Sequence, residues 1–167
     1  MPSKPLPYSV SANSALRLAN QEALRLGHSH LQTGHVLLGL AKSLEGVIPS
    51  RASQLLASQG FDVTQATTML ENRVGIGENT SGANVPHDHK VQHVLRHAEK
   101  IAKKDGRSFI DTLDILESLA MDRSCDAAAI LSRTIDFDPT SIRAPFQFEG
   151  TEKVSPQLGK VSTAPAR

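Results

Sequence analysis

The stretch "GHSHLQTGHVLLGLA", Gly27 to Ala41, sets His28, His30 and His35 close together and then runs into an apolar segment. A second group, "HDHKVQHVLRH", His87 to His97, places His89, His93 and His97 at four-residue steps. Imidazole is a common metal ligand and the side chain whose charge changes nearest to neutral pH, so any chemistry should be sought here first. A zinc site needs three or four ligands converging within about 2.0–2.3 Å of one ion. On a helix rising about 1.5 Å per residue, His89 and His97 lie about 12 Å apart along the axis. One ion could therefore take an adjacent pair, His89 with His93, but not the whole stripe. The stripe also points away from the apolar face formed by Val91, Val94, Leu95, Ala98 and Ala102. It is expected to be a solvated face that gains charge below about pH 6.5. A histidine-based metal- or pH-responsive binder is the alternative reading that these clusters leave open.

Other reactive constellations are missing from the sequence. Cys125 is the single cysteine, so no intrachain disulfide forms, and its loop "MDRSCDA" carries no signature of an activated thiolate. There is no G-x-S-x-G nucleophile elbow, no G-x-x-x-x-G-K-[ST] phosphate loop and no G-x-G-x-x-G fingerprint. No His-Glu-x-x-His run supplies a metalloprotease base. Lys103, Lys104 and Arg107 form a short basic run at a helix end, where they meet the negative end of the dipole. The expectation is a chain with no catalytic residue and no cofactor.

The elements that would position these residues are legible from an internal duplication. Displaced by 79 positions, "PYSVSANSALRLANQEALRLGHSHLQTGHVLLGLA" lies without a gap on "PHDHKVQHVLRHAEKIAKKDGRSFIDTLDILESLA". Leu16/Leu95, Ala19/Ala98, Ala23/Ala102, Gly27/Gly106, Thr33/Thr112, Leu37/Leu116 and Leu40/Leu119 coincide. The loops "KSLEGVIPSRA" and "MDRSCDA" then differ, after which "QLLASQGFDVT" faces "AILSRTIDFDPT". Two copies of one supersecondary unit are implied. In each copy apolar residues recur at three- and four-residue spacing, the mark of an amphipathic helix.

Gly27 and Gly106 stand where such a helix would end on a left-handed residue, and Thr33 and Thr112 where the next would be N-capped. Further helices are expected at Pro49–Ser58 and Ala127–Ser132. Asp62 and Asp138 are each placed to cap a short fourth helix, with Pro139 at a tolerated first-turn position. The fold class predicted is all-α: an eight-helix pseudo-twofold domain made of two four-helix repeats. Its boundaries are an extension at 1–7, a first repeat at 8–73, a linker at 74–85, a second repeat at 86–145 and a disordered tail at 146–167.

The duplication also weighs the first histidine cluster. His28, His30 and His35 correspond to Arg107, Phe109 and Asp114, which do not make a second metal site. The cluster is therefore read as punctuation between two helices, with His30 packing or bonding in the loop. His35 is expected to be a neutral imidazole that packs and bonds locally in the first turn.

Bulk composition narrows the partner class. Eighteen basic against seventeen acidic residues leave a net charge of +1, which offers no electrostatic reason to expect nucleic acid or an anionic membrane. The longest apolar runs fall far short of the ~20 residues that span a bilayer. The N-terminal "MPSKPLPYSV" lacks the apolar core of a secretory signal. A cytoplasmic location is the expectation.

The segment from Tyr8 to Val63 resembles the Clp repeat (Clp N-terminal) domain of the Clp unfoldase chaperones. Tyr8-Ser9 opens it, Leu26-Gly27-His28 ends the first helix, and Gln32-Thr33-Gly34-His35-Val36-Leu37-Leu38-Gly39-Leu40 follows. Glu45-Gly46 and Gly60-Phe61-Asp62-Val63 close the unit, and the resemblance extends over about residues 7–145. It implies a domain without catalysis that sits above an ATPase ring and receives adaptors and substrates. The sequence lacks an ATPase module, so it is similar to free-standing Clp repeat proteins of the ClpT accessory type or to an excised ClpC/ClpA-type domain. The implied partners are a Clp ATPase, a Clp protease subunit, or adaptor and substrate proteins.

One departure matters. Where ClpC-type domains use a glutamate in each repeat to receive phosphoarginine, this sequence has Gly34 and Leu113, neither able to pair with a guanidinium. The protein-binding residues implied at that surface are Tyr8, Ser9 and Thr33, with His87, Asp88 and Thr112 as repeat mates. Leu18 and Leu24 on the helix flanks are candidates to meet a partner.

Overall fold

In the computed structural model, whose described residues are 5–78 and 85–135, the apolar periodicity of each repeat resolves into helices. The first repeat contributes α1 (Val10–Arg25), α2 (Thr33–Lys42), α3 (Arg51–Ser58) and α4 (Val63–Val74). The second contributes α5 (His89–Lys104), α6 (Thr112–Met121) and α7 (Asp126–Thr134). Seven helices are thus seen among the described residues, and the expected eighth, after Asp138, lies outside them. The class is all-α. One feature is absent from the sequence reading: β1 (Leu44–Glu45) pairs antiparallel with β2 (Ile48–Pro49). Two residues per strand are too few to produce an alternation pattern. Pro49, expected inside the third helix, belongs to this hairpin, and Ser50 caps α3 instead by accepting from Ser53 N at 3.1 Å.

Local chemistry sets the helix ends. Ser9, Asp62 and Asp88 accept backbone N–H groups of the first turns of α1, α4 and α5. Gly27, Gly60 and Gly106 follow the caps of α1, α3 and α5 with φ of 73°, 85° and 76°. In each case the next residue's N–H turns back to the helix: His28 to Ala23, Phe61 to Leu56, Arg107 to Ala102. These are Schellman endings, and only glycine adopts that φ without strain.

The threonines expected as caps do something else. The N-caps of α2 and α6 are Gln32 and Asp111, whose backbone N–H groups donate to His35 Nδ1 at 2.9 Å and Asp114 Oδ2 at 2.8 Å. Thr33 and Thr112 stand one position further in, and their hydroxyls face the opposite repeat. Thr33 Oγ1 accepts from Ala127 N of α7 at 3.3 Å, and Thr112 Oγ1 accepts from Ala52 N of α3 at 3.3 Å. Each repeat therefore caps the third helix of the other.

The extended arms before α1 and α5 cross over in the same way. Ile110 N donates to Pro7 O and Ser9 N to Ile110 O, at 2.8 and 2.9 Å. Leu31 N donates to Pro86 O and Asp88 N to Leu31 O, at 2.8 and 3.0 Å. Every residue in the second set is 79 positions from its mate in the first, crossing between repeats.

The core lies between the repeats. α2 contacts every other helix, and Leu37, Leu38, Leu40, Leu55, Leu70, Ile115, Leu116, Leu119 and Ile130 are fully buried. α1 and α2 make the more extensive contact, α5 and α6 the lesser. Gly39 explains the difference. A Cβ there would lie 2.2 Å from the carbonyl oxygen of Ala15 and 2.9 Å from Ala19 N, so the close approach of α1 and α2 requires its absence. Its mate is Ser118, whose hydroxyl occupies the equivalent gap and donates to Val94 O at 2.8 Å.

Gly39→Ala gains about 1 kcal/mol of helix propensity but overpacks against backbone, which costs about 1–3 kcal/mol. A net fall in stability is expected in urea unfolding; a variant as stable as the parent would contradict this packing. Thr33→Val and Thr112→Val each strip an acceptor from a buried N–H and should cost about 1–2 kcal/mol. An exposed threonine of no structural consequence would change stability by less than about 0.5 kcal/mol in the same measurement.

Candidate functional site

The residues that sequence reasoning placed at the recognition surface divide into two groups. Thr33 and Thr112 are 3% and 0% exposed and are committed to the cross-repeat caps, so they do not face a partner. Tyr8, Ser9, His87 and Asp88 lie on the two crossover arms. Ser9 Oγ, beyond its capping role, donates to Asp111 Oδ1 at 2.8 Å, and Ser11 Oγ reaches the same oxygen at 3.2 Å. Asp111, missed in the sequence, thus joins the N-terminal arm to the second repeat. Tyr8 is half-buried, and burial, followed by the charge of Glu99, pushes its phenol above the ordinary value. His87 is exposed. Leu18 and Leu24 are half-buried rather than open.

Gly34 and Leu113 are the second residues of α2 and α6. A Cβ on Gly34 would lie 2.3 Å from Cδ1 of Leu70, a fully buried side chain of α4. Any side chain at position 34 would therefore require Leu70 to shift.

The His28–His35 cluster is a relay. Gln32 N–H donates to His35 Nδ1, His35 Nε2 meets His28 Nδ1 at 2.8 Å, and His28 Nε2 meets the Gly75 carbonyl at 2.9 Å. With both rings neutral, each nitrogen finds a complementary partner: His35 Nε2–H donates to His28 Nδ1, and His28 Nε2–H donates to the carbonyl. A proton added to either ring sets two donors face to face. Burial first, then the neighbouring His28, pull His35 down to about 4, against weaker opposing fields from Glu22, Asp88 and Asp126. At the equivalent place in the second repeat, Arg107 binds Asp114 through both terminal nitrogens, at 2.5 and 2.6 Å. The Asp114 hydrogen bonds raise the Arg107 pKa further. The expectation of a neutral, locally bonded His35 holds, and the opening cluster is structural.

The start of the expected linker is docked rather than free. Gly77 N donates to Leu26 O at 2.7 Å, and a Cβ on Gly27 would meet the Gly77 carbonyl at 2.4 Å. His30 is exposed and bonds in the loop, its Nδ1 3.1 Å from Ser29 Oγ, while its mate Phe109 is 39% exposed. His97 departs from the solvated-stripe expectation. It is half-buried, with Nδ1 3.2 Å from Ser118 Oγ, because α6 lies over it. His89 and His93 are exposed. Among the described residues no group of three or more His, Cys, Asp or Glu side chains is placed to hold a metal ion, so the geometry adds nothing to the metal alternative. Cys125 is buried at the cap of α7, and burial pushes its thiol up, which fits an inert role. No described helix is long and apolar enough to cross a membrane.

Two interlocked helical repeats that exchange arms and caps define a duplicated all-α domain. Residues 7–134 match the Clp repeat (R) N-terminal domain, and the chain belongs to that family. It is 30% identical over 125 residues to the chaperone protein ClpB of Oceanobacillus iheyensis, covering 75% of this chain and 15% of that protein. It is 29% identical over 136 residues to the chloroplastic chaperone ClpC of Pisum sativum, covering 81% of this chain and 14% of that one. The chain thus spans about one-seventh of the length of these relatives. Among solved structures, the N-terminal domain of the ClpD chaperone from Arabidopsis thaliana superposes with a TM-score of 0.64 at 20% identity, covering 82% of this chain and 92% of that one. The N-domain of ClpV from Vibrio cholerae gives 0.63 at 13% identity, covering 87% and 92%. These likenesses show a shared fold.

The relay makes stability acid-sensitive in a defined window. Because the folded-state value of His35 lies near 4, below the ordinary 6.5, the unfolded chain takes up a proton as pH falls through 6.5 while the folded chain does not. The stabilisation is complete above 6.5 and is lost toward pH 4. About 2 kcal/mol should disappear between pH 7 and pH 5 in urea unfolding. The double variant His28→Arg/His35→Asp, which copies the second repeat's pair, should flatten that slope; an unchanged slope would contradict the relay.

Proposed function

We propose that this chain is a non-enzymatic protein-binding module that receives adaptor or substrate proteins for a Clp-type ATP-dependent protease or chaperone. The observation that carries the reading is the family match over residues 7–134, which spans both repeats and the arms and caps that join them. The chemistry of the described residues is consistent with it. His28 and His35 bond to each other, His97 is half-buried against Ser118, the other described histidines are exposed, and the cysteine is buried. Recognition then falls to the outer surface, with Tyr8, Ser9, His87 and Asp88 on the crossover arms as contact residues. The mechanism is binding alone and uses no cofactor: the partner is held near an ATPase that does the work.

Affinity capture with the immobilised chain from a lysate of its own source should recover a Clp ATPase, a Clp protease subunit or a Clp adaptor. Recovery of none of these would overturn the reading. Tyr8→Ala should lower the recovered amount several-fold while leaving the helical circular-dichroism signal intact.

A further inference from the structure

We propose that the cleft between α5 and α6 is a docking site for an acidic, extended segment of a partner protein. The inference rests on the reading of the chain as a protein-binding module and names the surface and the chemistry of one partner.

The cleft exists because the two repeats close their helix pairs differently. In the first repeat Gly39 lets α2 settle onto α1, and buried Glu22 ties the pair together, 2.9 Å from both Arg25 and Lys42. In the second repeat the matching positions are Ser118, Ile101 and Met121. Ser118 takes up the space glycine leaves open, and neither the carboxylate nor the lysine of the clamp is present. What remains is a cleft of about 380 Å³. Its α5 wall carries His93, Arg96, His97 and Lys100, one face at i, i+3, i+4 and i+7. Its α6 wall carries Ser118 and Met121, the latter 53% exposed.

The charge in this cleft is unbalanced. Arg96 and Lys100 are exposed and form no ion pair among the described residues. The carboxylate at the rim, Asp122, accepts from Ser124 Oγ at 2.6 Å and Ser124 N at 3.2 Å, lies 3.9 Å from Lys90 and also interacts with His93, which leaves Arg96 and Lys100 without a carboxylate of their own among the described residues. The chain as a whole is nearly neutral, so the cationic face is a local feature and not a reflection of bulk charge.

Spacing selects the occupant. Arg96 and Lys100 stand about one helical turn apart, about 6 Å along the axis. In an extended chain, residues two apart share a face and lie about 6.6 Å apart. A Glu-x-Glu segment therefore sets one carboxylate on each cation, and an apolar residue beside it reaches Met121. Guanidinium–carboxylate pairing supplies the orientation.

The test uses a fluorescein-labelled peptide, GLETELG, and its neutral counterpart, GLQTQLG, in anisotropy titrations with the whole chain. The acidic peptide should bind at 50 mM salt, at least tenfold more tightly than the neutral one, and weaken at least tenfold in 0.5 M salt. The double variant Arg96→Glu/Lys100→Glu should lose binding at least tenfold with an unchanged thermal midpoint. Equal binding of both peptides, or of the acidic peptide to parent and variant, would overturn the proposal, as would no binding at 1 mM peptide. A salt-sensitive dimer in analytical ultracentrifugation that the double variant abolishes would overturn it in favour of a second copy of the chain. Capture of Clp components undiminished by the double variant would sink this site while sparing the functional reading; capture of none by the parent would sink the reading itself.

Discussion

Two buried threonine hydroxyls, each accepting a backbone N–H from the opposite repeat, are the constraint on which the domain rests. A helix start leaves orphan donors, and α3 and α7 find part of their satisfaction only across the pseudo-twofold axis, from Thr112 and Thr33. The arms repeat the logic, since the strand-like residues before α1 and α5 find their backbone partners at Ile110 and Leu31 of the other copy. Neither repeat, taken alone, satisfies its own backbone. The core between them adds apolar burial, but buried leucines alone tolerate many arrangements. The directional exchange is what fixes one.

Within that fixed frame the paired positions have been free to change chemistry. His28 with His35 and Arg107 with Asp114 perform one task, bracing the first turn of α2 or α6, by a neutral relay in one copy and an ion pair in the other. Gly39 and Ser118 show the same freedom at a helix crossing. Glycine gives contact of backbones, whereas serine substitutes a hydroxyl hydrogen bond to the carbonyl that glycine would touch. At the helix starts the frame tolerates both because His35 and Asp114 accept from the same backbone N–H, that of Gln32 or Asp111. The outer surface does not stay symmetric under such changes. A tied groove in one repeat becomes an open cationic cleft in the other.

How much of this was legible depended on whether the partner of a residue was near it in the chain. Gly27, Gly106 and Asp62 act within a few residues of themselves, and their types announce helix ends correctly, whereas Asp88, read only as a contact residue, caps α5. Thr33 and Thr112 are capping hydroxyls by type, but the helices they cap lie far away in sequence, so their position alone points to the nearest helix. The hairpin at Leu44–Pro49 was invisible because two-residue strands carry no period. His97 looked solvated because the stripe was judged on α5 alone, and only the placement of α6 covers it. The α5–α6 cleft left no motif at all: it follows from one Cβ at Ser118 and from clamp residues that are missing. Absences in one repeat become readable only when the other is laid over it.

The first histidine cluster shows how local capping and the cross-repeat exchange are joined in a single peptide unit. The carbonyl of Leu31 accepts from Asp88 N of the second arm, while the N–H on the same peptide plane, that of Gln32, donates to His35 Nδ1. In the other copy the carbonyl of Ile110 accepts from Ser9 N, and the N–H of Asp111 donates to Asp114. Because a peptide is planar, a ring or carboxylate that turns its N–H also turns the carbonyl that holds the opposite arm. The side chains at positions 35 and 114 therefore orient the bridges between repeats, though neither touches the other repeat's arm through these bonds. In the second repeat Arg107 holds the aspartate in place through two hydrogen bonds, while in the first an imidazole accepts the N–H only while it stays neutral. The first repeat thus places a neutral imidazole at a bridge between the repeats, and acid that protonates it acts on the contact between repeats, beyond the first turn of α2.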